Sequence, residues 1–347
     1  MADTRRRGAG AMQRFTLYNS DVAVAKFELN HGTIVSFKAL LPELLPMQLR
    51  NASADTFTLW LQNRSIDLNT FQHRQLAREL LGTRDKTAIA IITHMFSVTD
   101  TFTCFIEGEF QPREKLCNPE SQNDISGFIL ASSDTSLNKA ARVTPNASTD
   151  GSFTKTWRFE DNRWWLYKLQ SEEATNSEVE ISKALRACGW DAAEYQYVEG
   201  NKTRVKSLNF VHEGEFFEPY DSFRYSFMDR SDDDRVIFNN ISSLGIAFEE
   251  AWIRILLADA LFMNMDRHMR NFGFIRSAET GRVLRMAPNY DNNQAYTANP
   301  GRSYTDAMLK EFFKEYGDHK TMLQQLVEIC ETLPYLDKAA RVGKSIL

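Results

Sequence analysis

Several features that would fix a function outright are missing from this chain of 347 residues. Its four cysteines, Cys104, Cys117, Cys188 and Cys330, stand at no metal-ligand spacing such as C-x-x-C. Reduced thiols are expected rather than a disulfide framework or a zinc site. No apolar run approaches the roughly 20 residues that a membrane helix needs. The first residues, MADTRRRGAGAM, are basic but lack the apolar core of a signal peptide, so 1–12 reads as a disordered leader and the cytoplasm as the default location. There is no G-x-x-x-x-G-K-[ST], no G-x-G-x-x-G, no G-x-S-x-G and no H-E-x-x-H. These absences remove the Walker P-loop, the dinucleotide fingerprint, the hydrolase elbow and the zinc-protease helix. Excess positive charge is missing too. A net charge of −5 and a pI near 5.8 give no bulk attraction to nucleic acid or to acidic membranes, and neither is expected as a partner.

What is present is an ordinary globular balance, 43% hydrophobic and 25% charged, with enough chain for a large core. RFTLYN, DVAVAKFEL and TIVSFKAL alternate as strands, with Asn30-His31-Gly32 as a hairpin turn. Residues 55–82 read as helices ending at Gly82. Residues 118–153 are rich in Ser, Asn, Asp and Thr and read as loops, with a domain boundary near 135. TWRFEDNRWWLYKL then reads as strand, turn and strand, and NSEVEISKALRACG as a helix with Asn176 as N-cap and Gly189 as stop. FEEAWIRILLADALFMN is the clearest helix, and GFIRSAETGRVLRMA reads as a hairpin. The last 45 or so residues read as helices. An α+β fold is expected, divided into an N-terminal α/β appendage (1–134), a small β-rich lobe (135–212) and a larger helical lobe (213–347).

Phosphoryl transfer from a nucleotide needs a carboxylate to orient the acceptor hydroxyl, a carboxylate and an amide for Mg²⁺, and a Lys for the phosphates, often fixed by a Glu. These stand here in kinase order. Asp266 and Asn271 have the D-x-x-x-x-N spacing of a catalytic loop, and Asp291 follows a hairpin, where a second metal carboxylate belongs. Lys168 ends a strand, and Glu178 lies on the next helix. Each has a bland alternative: Lys168 as a surface lysine, Glu178 as a solvated helix residue, His268 as a packed loop histidine. The conjunction, rather than any one residue, points to a kinase. A polar loop, Thr144–Thr154, offers Ser148, Thr149, Gly151 and Ser152 for phosphate oxygens; its alternative is a plain linker.

At these residues the chain resembles the HipA-like kinases, over roughly 140–310. NMDRHMRNFGF followed by MAPNYDN is similar to that family's D-x-H-x-x-N loop and P-x-Y-D segment, and STDGSFTKTWRFEDNRWWLYK to its phosphate loop and lysine strand. The D-R-H order is also similar to that of phosphatidylinositol lipid kinases. The resemblance implies a bilobal protein-kinase-like fold using ATP and Mg²⁺. Asp266 and His268 would then belong to the catalytic loop, Asn271 and Asp291 would hold Mg²⁺, and Lys168 with Glu178 would meet ATP. The nucleotide base would hang near Asn209 and Phe210. It further implies a protein Ser/Thr substrate, a cognate antitoxin in some members, and autophosphorylation within Ser148–Thr154. A lipid or small-molecule kinase and a nucleotide-binding scaffold without activity are the alternatives. The single glycine of the loop and the extra N-terminal region depart from the best-known members.

Overall fold

A computed structural model describes residues 12–130, 143–149, 153–295 and 306–347. They form a mixed α and β fold with antiparallel sheets, and the chain divides into two compact units. The first holds residues up to Trp164, with 211–216 and 276–283; the second holds 165–210, 217–275 and 284–347.

The first unit opens with β1 (Gln13–Asn19), β2 (Val22–Asn30) and β3 (Thr33–Ala39), joined as read from the alternation. His31 (φ 48°) and Gly32 (φ 81°) both take the left-handed backbone that a tight hairpin turn needs. Helices α1 (Ala54–Asn63), α2 (Phe71–Leu76) and α3 (Lys86–Ile92) follow; the π-turn Ala77–Leu81 extends α2, and Gly82 at φ 72° ends it. Strand β4 (Phe102–Ile106) pairs with β1, giving the order β3-β2-β1-β4. Phe15, Phe27, Phe57, Trp60 and Phe102 fill the core over this sheet.

Gln122–Leu130 is helical (α4), although this stretch begins within a segment whose composition reads as loop. Ile125, Phe128 and Ile129 bury one face against Leu76, Ala77, Leu80 and Ile89, and that packing outweighs the local polar composition. Strand β5 (Thr154–Glu160) ends in a turn at Asp161 (φ 50°) and Asn162 (φ 59°), the residue types that tolerate this backbone.

In the second unit come β6 (Arg163–Leu169, counted from Trp165), α5 (Glu172–Ala187), β7 (Tyr195–Val198) and β8 (Asn201–Leu208), with β6, β8 and β7 neighbouring in that order. Helix α5 starts four residues before the expected N-cap. Ser171 caps it, accepting from the Ala174 amide at 3.1 Å, whereas the Asn176 side chain accepts from the Tyr197 hydroxyl. A hydroxyl two residues past the strand was the better cap signal. The chain continues through β9 (Glu215–Pro219), α6 (Tyr220–Phe223), α7 (Asp234–Ser242), α8 (Ile246–Phe262), β10 (Gly273–Ser277) and β11 (Val283–Met286), of which Glu215, Phe216, Arg276, Ser277 and Val283 count with the first unit; the sheet order is β11-β10-β9. Helices α9 (Ala307–Tyr316), α10 (Lys320–Cys330) and α11 (Asp337–Ile346) complete it. Ile181, Leu185, Leu257, Leu261, Leu323 and Val327 form the core shared by α5, α8 and α10. Among the described residues no helix is long and apolar enough to cross a membrane. The three-part division expected from composition rests on loop-like residues near 135, of which 131–142 lie outside the described residues.

Candidate functional site

Lys168 is 3% exposed on β6, paired in register with Val205 of β8. Side chains alternate along a strand, so Lys168 shares a face with Gln170 and turns away from Trp165 and Tyr167. Helix α5 buries a stripe at Ala174, Glu178, Ile181 and Leu185, and Glu178 occupies a core position at 0% exposure. The solvated-helix alternative for Glu178 and the surface alternative for Lys168 both fail on burial. Lys168 Nζ donates to Glu178 Oε1 at 2.5 Å and to Asp291 Oδ1 at 2.7 Å, and Gln170 Nε2 donates to Glu178 Oε2 at 2.8 Å. The Tyr195 ring lies 5.4 Å from the ammonium, and its hydroxyl accepts from the Asp291 amide at 3.1 Å. Asp291 itself takes left-handed backbone, φ 61°, as aspartate does more readily than most residues.

Burial and charge compete in this cluster. Burial works against the Lys168 charge, but the carboxylates of Asp291 and Glu178 outweigh it and hold the lysine pKa well above its ordinary value. Burial pushes the Glu178 carboxyl up; Lys168 opposes that and Asp291 adds to it. Two carboxylates thus share one cation.

The loop after α8 is built differently. The helix ends where Met263 turns left-handed at φ 51°. Asn264 then donates to Asp259 Oδ1 at 3.1 Å and accepts from the Asp266 amide at 3.3 Å. Asp266 and His268 are exposed, while Asn271 is 6% exposed. Asn271 Nδ2 donates to the Asp266 carbonyl at 3.0 Å, which leaves the amide oxygen as its atom for a cation. His268 Nδ1 accepts from the Arg270 amide at 3.2 Å, and its carbonyl from the Asn271 amide at 2.8 Å. His268 is therefore not the packed histidine of the bland alternative.

Arg267, unremarked in the sequence, organises this region. Its guanidinium donates to both oxygens of Asp259 at 2.9 Å, to the carbonyls of Asn271 at 2.8 Å and Tyr290 at 2.6 Å, and to Asn292 Oδ1 at 2.9 Å. One planar fork thereby joins α8, the Asp266–Asn271 loop and the Asp291 segment. Burial opposes the Arg267 charge, but Asp259 more than compensates and raises its pKa. The asparagines around Asp291 in NYDNN were the available signal: Asn292 Nδ2 bonds Asn289 Oδ1 at 2.8 Å, and Ser177 donates to the Asn292 carbonyl at 2.9 Å.

Of the remaining expected residues, Phe210 packs on Tyr290, ring centroids 5.5 Å apart, and Asn209 precedes it in the same unit. Ser148 and Thr149 belong to the first unit, where their hydroxyls donate to the Pro145 and Asn146 carbonyls at 2.8 and 3.1 Å. Gly151 and Ser152 lie outside the described residues. Among the described residues no three His, Cys, Asp or Glu side chains cluster as a metal cage. Mg²⁺ with nucleotide takes one or two carboxylates and completes its shell with phosphates and water, so the Asp291 carboxylate and Asn271 amide oxygen are a fitting donor set.

No protein-family model matches the chain, and no curated protein matches it by sequence. Among solved structures it is similar to HipA of Shewanella oneidensis MR-1, from a toxin–antitoxin complex with HipB and operator DNA. That likeness has a TM-score of 0.58 at 11% identity, over 96% of this chain and 91% of that one. The Helicobacter pylori proinflammatory kinase CtkA matches 55% of this chain and 87% of its own at 15% identity, with a TM-score of 0.42. The fold is that of a HipA-like kinase.

Proposed function

We propose that the protein is an ATP- and Mg²⁺-dependent phosphotransferase, a HipA-like kinase acting on Ser or Thr of a protein. The observation that carries this reading is Lys168 Nζ held at once by Glu178 and Asp291, from a strand, a helix and a post-hairpin segment. A lysine so placed meets nucleotide phosphates while its Glu partner fixes its direction. Bound Mg²⁺ neutralises charge on the transferred phosphoryl group. Asp291 and Asn271 would hold it. Asp266, exposed and two residues from a backbone-anchored asparagine, is free to orient an acceptor hydroxyl.

The S. oneidensis neighbour was solved with HipB and DNA, which supports a cognate antitoxin as a partner here. Autophosphorylation within Ser148–Thr154 belongs to the same proposal. Thr149 is 4% exposed whereas Ser148 is half-buried, so Ser148 is the better acceptor of the two. Incubation with γ-labelled ATP and Mg²⁺ tests the reading. Label should pass to protein, and Asp266→Asn should lower the rate by about 10² to 10⁴ while nucleotide binding is kept, the range for losing a positioned acid–base group. Wild-type turnover in that variant removes Asp266 from the mechanism, and no label on any acceptor removes the kinase reading. Mass spectrometry of the labelled chain locates any phosphate between Thr144 and Thr154.

A further inference from the structure

Asp291 takes left-handed backbone, and the peptide that leads into it is held at both ends. The Tyr290 carbonyl accepts from Arg267 at 2.6 Å, and the Asp291 amide donates to the Tyr195 hydroxyl at 3.1 Å. A peptide is planar, so bonds at its two opposite edges fix its orientation, and with it the direction in which the Asp291 side chain leaves the backbone. On the far side of Asp291, the Asn292 carbonyl accepts from Ser177 at 2.9 Å. A residue other than glycine keeps this backbone where its surroundings over-determine it.

Tyr195 is itself placed by the sheet and the core. It is 5% exposed on β7, pairs in register with Ser207 of β8, and packs with Val179, Ala193 and Val205. Its ring lies 5.4 Å from Lys168 Nζ. One side chain therefore meets the lysine with its ring and the backbone of that lysine's partner with its oxygen. Burial and the neighbouring Glu178 push the phenol pKa up, so the group stays a neutral hydroxyl around neutral pH.

We propose that Tyr195 is a positioning residue for phosphoryl transfer, acting through the Asp291 backbone to hold that carboxylate at Lys168, where it would take Mg²⁺. The inference rests on the kinase reading above. The Asp291 carboxylate meets Lys168 at 2.7 Å in the orientation that this backbone gives it. Without the hydroxyl, the peptide ahead of Asp291 is held at its carbonyl end alone and is free to rotate toward ordinary backbone, which carries the carboxylate away from Lys168. Mg²⁺ demands near-octahedral geometry, so a ligand turned in this way binds it less well. The competing role for Tyr195 is to fill the core beside α5 and β8. That role belongs to the ring, so removing the oxygen alone separates the two.

Tyr195→Phe keeps the ring and removes the oxygen. ATP binding to the full chain is measured by calorimetry across a Mg²⁺ titration and without Mg²⁺. The variant is expected to need about three- to tenfold more Mg²⁺ for half-maximal binding, the range that one neutral hydrogen bond is worth. Its ATP affinity without Mg²⁺, carried by Lys168, should change by less than about twofold. A packing role gives the opposite split: a lower unfolding midpoint with the Mg²⁺ dependence unchanged. That result overturns the proposal, as does an equal loss of ATP affinity with and without Mg²⁺. Ser177→Ala, which releases the Asn292 carbonyl from α5, should raise the Mg²⁺ requirement in the same direction. Should Tyr195→Phe fail to fold, an unchanged Mg²⁺ requirement in Ser177→Ala overturns positioning through the backbone. A wild-type protein without Mg²⁺-dependent ATP binding removes the kinase reading and this role with it. Identical Mg²⁺ dependence in wild type and Tyr195→Phe removes this role alone.

Discussion

The second unit holds two buried cations, Lys168 and Arg267, and they are satisfied in opposite ways. Arg267 faces one carboxylate, Asp259, and spends its other donors on neutral carbonyls and amides, so its surroundings are balanced and closed. Lys168 faces two carboxylates, one at 0% exposure and one with 17% of its side chain exposed, so its surroundings open toward solvent through Asp291. A closed centre fixes geometry. An open one leaves room for a further group, as the proposed Mg²⁺ and nucleotide phosphates would require.

The sharpest way to break this contrast is Arg267→Met. Asp259 would be left buried and unpaired, and the Asn271 and Tyr290 carbonyls would lose their donor. A loss of about 3 to 5 kcal/mol is expected, read from denaturant unfolding. Arg267→Lys should recover little of it, because one ammonium does not reproduce a planar fork. A stable Arg267→Met protein would show that the loop and the Asp291 segment hold together without it.

Lys168→Met should cost less, about 2 kcal/mol near neutral pH, because Glu178 can escape by taking a proton. The sign follows from the raised Glu178 pKa. The folded state binds that proton more readily than the unfolded one, so the penalty is absent below about pH 4.5, the ordinary carboxyl value, and grows as pH rises through the folded value. Unfolding midpoints of wild type and variant should therefore converge in acid and separate toward neutrality. A pH-independent difference would mean that Glu178 is not the group left stranded. The same variant should lose phosphoryl transfer.

Asp291→Asn should have the smallest effect on stability, within about 1 kcal/mol, because losing its attraction to Lys168 is offset by losing its repulsion of Glu178. Mg²⁺-dependent nucleotide binding should nevertheless disappear, as calorimetry with and without Mg²⁺ would show. A large loss of stability with nucleotide binding intact would reverse the assignment and make Asp291 a structural partner of Lys168.

The local elements were legible because their signals lie within a few neighbouring residues. Alternation marked β1 to β3, paired left-handed turn residues marked the hairpins, and the apolar spacing of FEEAWIRILLADALF marked α8. The spacing of Asp266 and Asn271 showed that one loop carries both, and the strand-then-helix order placed Lys168 and Glu178 on adjoining elements. Composition failed at Gln122–Leu130, where helix formation depends on Leu76, Leu80 and Ile89 from a distant stretch. It also failed at the start of α5, where a single hydroxyl at Ser171 settles the cap.

Only the tertiary structure decided the rest. Lys168 and Asp291 are 123 residues apart, and no periodicity encodes their meeting. Glu178 is a core residue because its helix position faces the β6 lysine, and Arg267 matters because three separate segments present acceptors to one guanidinium. Hydrogen bonds and ion pairs decay within a few ångströms, so their partners are fixed by where packing brings segments together rather than by where the chain runs.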